Sequence, residues 1–140
     1  MIDQLRTIDT GRFVHVFGVI PAGELATIDE GITLREAGIS QPIVLLEGIQ
    51  RPTDCLLIHA YKLDCVVYHQ HQIDLIKNTT KPVRVWLKLD TGMHRLGVMP
   101  EQVPSMLSRC DACSNIASPV TMLSHLACAD EPQHPENQMQ

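Results

Sequence analysis

The feature that most constrains the fold is the alternation of short β-branched runs with longer amphipathic segments along the 140 residues. A strand, a helix and another strand recur roughly every 20 to 40 residues, which is typical of βαβ units and therefore of a parallel sheet. About five parallel strands fit into this length, whereas a closed eight-stranded barrel needs at least about 200 residues. The pattern therefore predicts an α/β fold that is either a small open sheet or part of a (β/α)8 barrel.

The same alternation predicts where the elements lie. Strands are expected at Val14–Val19, Ile43–Leu46, Asp64–Tyr68, Val83–Leu89 and Val120–Leu123. Helices are expected over Asp29–Ala37, Asp54–Leu63, a segment with Ile73, Leu75 and Ile76, and Pro100–Cys110. Residues 132–140 are polar and contain two prolines, so we expect a disordered tail there.

Charge and composition exclude several classes of protein. Eleven Lys and Arg against sixteen Asp and Glu give a formal net charge of -5, whereas a nucleic-acid binder normally carries a basic face. No apolar run approaches the roughly 18 residues of a membrane span, and the first residues lack the basic and apolar blocks of a signal peptide. Five cysteines, an odd number, favour reduced thiols. We expect a cytoplasmic protein that binds neither nucleic acid nor membrane.

The most informative segment is Lys-Leu-Asp-Thr-Gly-Met-His-Arg-Leu-Gly at residues 88–97, where a predicted strand runs into a polar loop. In parallel α/β folds, the carboxyl ends of the strands carry the ligand site. A lysine and an arginine at that edge would suit an anionic group such as a carboxylate or a phenolate. From the residues alone, an ordinary βα loop with solvated charges remains the alternative.

A second candidate is His125, which falls at the end of an apolar strand. It could be a general base, a ligand, a stacking partner for a flat ring or a structural histidine. Cys110-x-x-Cys113 together with His125-x-x-Cys128 has spacings that a structural zinc site can use. Because this chain has a regular α/β pattern, we expect no metal and keep a small zinc-binding module as the less favoured alternative. Neither a Gly-x-Gly-x-x-Gly motif nor a Walker loop is present, so nucleotide binding has no motif support.

Four segments together resemble the bacterial alanine racemases. The block at 88–97 and Leu-Ser-His-Leu-Ala-Cys-Ala-Asp-Glu at 123–131 carry the resemblance, and the blocks Asp29–Ile39 and Pro42–Gly48 stand in the family's order. Residues 1–25 are a poorly matching N-terminal segment, and we expect a partial barrel domain like that of the family over 26–131. The resemblance implies a partial TIM-type (β/α)8 barrel from a pyridoxal-phosphate-dependent isomerase that works as a homodimer.

The resemblance also implies roles for five side chains. Arg95 would bind the phenolic oxygen of the cofactor and help to place the carboxylate of alanine, the substrate. Lys88, which matches a lysine that is often carbamylated in the family, would brace Arg95. His125 would lie against the pyridine ring, Leu46 would line the cofactor side of the pocket, and Met93 would line the substrate side.

Two residues that the family needs for catalysis have no match. The family's Schiff-base lysine lies in a Lys-Ala-Asn-Ala-Tyr-Gly motif, whereas the first lysine here is Lys62; the tyrosine base of the C-terminal domain is also unmatched. The implied reaction interconverts L-alanine and D-alanine through a carbanion stabilised by pyridoxal phosphate, and supplies D-alanine for peptidoglycan. We expect these 140 residues, which hold no catalytic base, to be inactive alone. The alternative is a vestigial or truncated non-catalytic α/β protein.

Overall fold

The computed structural model describes residues 27–128, 131 and 133–140, and shows one parallel sheet in this part of the chain. The strands follow one another across the sheet in chain order, β1-β2-β3-β4, and every neighbouring pair is parallel. They are β1 (Val44–Leu45), β2 (Asp64–Val67), β3 (Val83–Lys88) and β4 (Ile116–Leu123). Parallel neighbours in chain order, each joined by a helix, are the wiring of a (β/α)8 barrel.

Helices connect the strands and precede the first of them. They are α1 (Ile28–Glu36), α2 (Asp54–Ala60), α3 (Gln70–Ile76) and α4 (Val103–Asp111), with a 3-10 turn at Pro100–Gln102. A capping box starts α1, because the Thr27 hydroxyl accepts the Glu30 N–H while the Glu30 carboxylate accepts the Thr27 N–H. A short helix, α5 (Glu136–Met139), lies within the segment for which the sequence predicts a disordered tail.

The sheet is apolar on both faces, which explains why its strands are nearly continuous apolar runs. Since side chains alternate along a strand, odd and even positions bury on opposite faces. The face against the helices carries the larger core, which includes Leu45, Cys65, Val67, Val85 and Leu87 from the strands with Ile58, Ile73, Ile76 and Met106 from the helices. The other face, called the inner face below, carries Val66, Trp86 and Leu123, with Val44, Leu46 and Tyr68 packed against them.

Four of the five predicted strands are confirmed, and the fifth, Val14–Val19, lies outside the described residues. The predicted start of the last strand at Val120 is wrong, because β4 begins at Ile116. Pro119 lies inside β4, although a proline within a segment normally counts against predicting a strand there. It is tolerated at an irregularity: the register with β3 shifts between Arg84 and Trp86. In the described part of the chain, no helix is long and apolar enough to cross a membrane.

Candidate active site

Four residues lie at the carboxyl edge of the sheet, each at or just beyond the end of a different strand. Leu46 and Tyr68 directly follow β1 and β2, Lys88 is the last residue of β3, and His125 comes two residues after Leu123, the end of β4. Alternation from Val44, Val66 and Trp86 places the first three on the inner face. The sheet thus brings together three residues predicted for the site, Leu46, Lys88 and His125, although they are far apart in sequence.

The loop after β3 closes back onto the end of that strand. The backbone N–H of Val98 donates to the Lys88 carbonyl at 2.8 Å, and the Asp90 N–H donates to the Val98 carbonyl at 2.9 Å. Leu89 continues the sheet by donating its N–H to the Leu123 carbonyl at 2.8 Å. Residues 91–97 are therefore held as a closed loop above the strand end, and this loop carries Met93 and Arg95.

The Asp90 side chain holds the loop together by contacts with Gly92 and His94. Its side chain is buried, and one carboxylate oxygen accepts the backbone N–H groups of Gly92 at 3.0 Å and His94 at 2.9 Å. The other oxygen lies 3.3 Å from Nδ1 of His94. Burial alone would raise the pKa of Asp90, but these N–H groups and the His94 imidazole together hold it below its ordinary value. Asp90 is therefore an ionised anchor for the loop.

Gly97 allows the loop to close. Its φ of 141° is in the region that favours glycine, and a Cβ at this position would lie 2.4 Å from the backbone nitrogen of Asp90. Two backbone segments pass each other too closely for any side chain. The loop that carries Arg95 therefore depends on a glycine at its end.

Lys88 and Arg95 form the cationic part of the site. Lys88 is half-buried, and its Nζ lies 3.4 Å from the Leu89 carbonyl. Burial lowers the pKa of Lys88; the nearby Asp90 opposes this, and the positive charge of Arg95 lowers the pKa further. The Arg95 side chain is exposed and makes no hydrogen bond or ion pair within the described residues. A guanidinium without a counter-ion in the described chain can receive an anionic ligand group.

A hydroxyl pair joins the loop to the end of β4. Thr91 Oγ1 lies 2.7 Å from Ser124 Oγ, and the Ser124 hydroxyl also donates to the Leu89 carbonyl at 3.3 Å. Ser124 is buried and directly precedes the half-buried His125. The contact ties Ser124, the residue before His125, to the loop that carries Arg95.

Comparisons with known proteins agree with this geometry. The family described as "Alanine racemase, N-terminal domain" matches residues 21–140. The chain belongs to the alanine racemase family. It is 47% identical to the alanine racemase of Shewanella sp. strain MR-4 and 44% identical to that of Shewanella woodyi, each over 118 residues and 83% of this chain. It spans 33% of the length of these relatives, about a third.

Solved alanine racemases share the fold of the described residues. The biosynthetic enzyme of Pseudomonas aeruginosa superimposes with a TM-score of 0.73 at 33% identity, covering 81% of this chain and 32% of that protein. The enzyme of Corynebacterium glutamicum gives a TM-score of 0.67 at 32% identity, covering 81% and 33%. The predicted partial (β/α)8 barrel is therefore confirmed.

The structure places Tyr68 at the same carboxyl edge of the sheet, a residue that the sequence did not single out. Its hydroxyl accepts the Gln50 amide N–H at 3.0 Å and donates to the Glu47 carbonyl at 3.2 Å, while its backbone N–H donates to the Gln72 side chain at 2.9 Å. Side-chain alternation could have indicated this position, because Tyr68 stands two residues after Val66 and therefore on the inner face. Its place beside Leu46 becomes visible only with the strand order.

Two of the cysteines in the alternative zinc-site hypothesis, Cys110 and Cys113, are part of the core. Cys110 and Cys113 are buried among the apolar residues between α4 and the sheet. Burial, with the charge of Asp111, raises the pKa of Cys110 to about 11, so without a metal its thiol is neutral. Within the residues that the structure describes, no three His, Cys, Asp or Glu side chains are grouped to hold a metal ion.

Proposed function

We propose that this chain forms the middle of the barrel in a pyridoxal-phosphate-dependent alanine racemase, and that its carboxyl edge holds the ring of the cofactor and the carboxylate of alanine. The observation that carries the proposal is the exposed Arg95 guanidinium without a hydrogen-bond partner in the described chain, beside the half-buried Lys88. A cation held in a closed loop at the carboxyl ends of parallel strands suits an anionic ligand.

The residues around Arg95 fit the ring end of pyridoxal phosphate. Leu46 offers an apolar surface on the inner face, and His125 brings a flat imidazole to the end of β4. Arg95 would meet the phenolic oxygen and the substrate carboxylate, and Met93, half-buried in the same loop, would line the substrate side. When bound, the cofactor withdraws electrons from the substrate Cα and so eases removal of the α-proton.

Lys88 would act by holding Arg95 in place. Because its pKa is lowered, more of its amine is neutral near pH 7 to 8 than in an ordinary lysine. A neutral amine attacks carbon dioxide, forms an N–C bond and releases one proton, which leaves a carbamate anion. That anion would lie beside Arg95 and pair with its guanidinium. The repulsion between two cations would then become an attraction.

The remaining parts of the proposal concern the whole enzyme. Such a racemase would be a cytoplasmic homodimer that supplies D-alanine for peptidoglycan. The bases that move the α-proton would come from outside the matched segments, since the family's lysine motif has no match in these 140 residues. We therefore expect the polypeptide 1–140 to show no racemisation, even with added cofactor.

A chimeric enzyme tests the proposal. Residues 27–128 replace the corresponding segment of a Shewanella alanine racemase, and racemisation of alanine is measured for this chimera, its Arg95→Lys variant and an Arg109→Lys control. Lysine keeps the charge of Arg95 but loses the planar fork. One lost charge-assisted hydrogen bond costs about 1.5 to 3 kcal/mol, so kcat/KM should fall about 10- to 150-fold. Equal activity of the Arg95→Lys and Arg109→Lys variants would remove Arg95 from the site.

A further inference from the structure

The opposite edge of the sheet, where the strands begin, contains a cavity. Its walls come from the loop between α1 and β1, the turn between α2 and β2, and the start of β3. It has a volume of about 430 Å³ and is lined by Arg35, Gly38, Ile39, Ser40, Pro42, Lys62 and Arg84. This volume lies in the range of small-molecule pockets, roughly 300 to 1,000 Å³. The cavity is separate from the carboxyl edge where Arg95 and His125 lie.

The lining is cationic in a chain whose net charge is -5. Three of its seven lining residues are basic and none is acidic. Arg35 is a fixed charge, because its guanidinium donates to backbone carbonyls only. The acceptors are the carbonyls of Tyr61, Ile39, Gln41 and Lys62. Since carbonyls are neutral, these bonds hold the guanidinium in place without cancelling its charge.

The other two cations have free donors. Arg84 uses its Nε to donate to Asp64 at 2.8 Å, and its terminal amino groups make no hydrogen bond within the described residues. Asp64 is shared, because its second oxygen accepts the indole N–H of Trp86 at 3.3 Å. Lys62 is exposed and has no ion pair in this part of the structure. Glu36, on α1, accepts the Tyr61 hydroxyl at 3.3 Å and does not line the cavity.

An apolar surface lies beside these donors. Ile39 is 40% exposed although it is a large aliphatic residue, and Pro42 next to it is also exposed. Small-molecule sites typically combine such an apolar wall with a few well-placed polar groups. We propose that this cavity binds a small organic anion, whose phosphate or carboxylate meets Lys62 and Arg84 and whose apolar body lies against Ile39 and Pro42.

Ligand-observed NMR tests this with phenyl phosphate as the probe, in a phosphate-free buffer at low ionic strength. Saturation-transfer titrations of the 140-residue chain should give saturable binding that weakens as sodium chloride is added. Benzoate distinguishes a carboxylate ligand from a phosphate ligand, and benzyl alcohol, which has the ring without a charge, should bind at least tenfold more weakly. Equal binding of benzyl alcohol and phenyl phosphate would overturn the proposal.

Variants locate the binding. Lys62→Met keeps the chain length and breaks no ion pair, and it should weaken phenyl phosphate binding about tenfold, which equals about 1.4 kcal/mol. The matched control is Lys81→Met, since Lys81 is exposed just before β3 and does not line the cavity. Arg84→Lys keeps the charge but loses the planar fork, so it should also weaken the binding of phenyl phosphate. If Lys62→Met does not fold, Arg84→Lys tests whether the cavity is the binding site. Binding that is equal in Lys81→Met and the foldable cavity variants would contradict the assignment.

Discussion

Asp90 and His94 are joined twice: one Asp90 oxygen accepts the His94 backbone N–H at 2.9 Å, and the other lies 3.3 Å from the His94 imidazole. His94 has a φ of 53°, a left-handed conformation that is uncommon outside glycine, asparagine, aspartate and histidine. The hydrogen bond that the Asp90 carboxylate accepts from the His94 backbone offsets the energetic cost of this conformation. Arg95, the next residue, takes its direction from the turn that Asp90 holds.

The first prediction is that Asp90→Asn destabilises the chimera at neutral pH. The substitution keeps an acceptor but loses the charge-assisted bonds, which should cost about 1 to 3 kcal/mol. Because the pKa of Asp90 is lowered in the folded state, its contribution is present above the ordinary aspartate pKa of about 3.9 and is lost as the pH falls below it. The difference in urea stability between Asp90→Asn and the exposed control Asp111→Asn should be full at pH 7 and should shrink steadily as the pH falls below about 4. A difference that stays constant down to the lowest pH at which both variants fold would contradict an ionic role.

The strands and helices were predictable from sequence because they depend on local patterns. The continuous apolar run before Glu47 and the β-branched run from Val83 are each the signature of a strand buried on both faces. The loop at 89–98 was different: its closure rests on backbone hydrogen bonds between Lys88, Asp90 and Val98, which no side-chain pattern encodes. The position of the loop was predictable, whereas its shape was not.

Two features could not be predicted because they depend on how the strands pair: the place of Tyr68 at the carboxyl edge and the early start of β4. Tyr68 follows its strand as a single aromatic residue, and its partners Gln50 and Glu47 belong to another βα connection. Only the pairing of β1 with β2 brings them together. The early start of β4 was hidden by Pro119, since a proline within a strand is tolerated at an edge or an irregularity, which only the pairing with other strands reveals.

The second prediction is that Lys88 takes up carbon dioxide more readily than an ordinary exposed lysine. Burial lowers the pKa of Lys88, so a larger fraction of its amine is neutral at pH 8. Carbon-13 NMR of the chimera in labelled bicarbonate should show one carbamate signal at this pH that disappears in Lys88→Arg and remains in the exposed control Lys81→Arg. A signal that survives Lys88→Arg would assign the carbamate elsewhere.

The third prediction concerns the hydroxyl of Tyr68. Tyr68→Phe keeps the ring but removes the hydrogen bonds to Gln50 and to the Glu47 carbonyl, which should cost about 0.5 to 1.5 kcal/mol. Tyr61→Phe is the matched control, because the Tyr61 hydroxyl makes a single exposed bond to Glu36 and should cost less. Urea unfolding of Tyr68→Phe, Gln50→Ala and the double variant should show coupling of at least about 0.5 kcal/mol. Strictly additive losses would show that the two side chains act independently.

The fourth prediction is that Gly97→Ala is far more damaging than Gly38→Ala, although both glycines have positive φ. At Gly38, with φ of 90°, a Cβ would meet nothing within 4 Å, so alanine there costs only its conformational strain, about 1 to 2 kcal/mol. At Gly97 the same Cβ would lie 2.4 Å from the Asp90 nitrogen and 2.6 Å from the Leu89 carbonyl carbon. Backbone cannot rotate away as a side chain can, so the closed loop must open.

Two measurements on the chimera separate these effects. Urea unfolding should show Gly97→Ala to be less stable than Gly38→Ala by at least about 1 kcal/mol, the size of a lost backbone hydrogen bond. Racemisation should fall in Gly97→Ala at a temperature where the variant remains folded, because Arg95 is displaced with the loop, whereas Gly38→Ala should keep its activity. Equal losses of stability in the two variants would show that the strand end tolerates a side chain at Gly97. In that case the closed loop does not position Arg95.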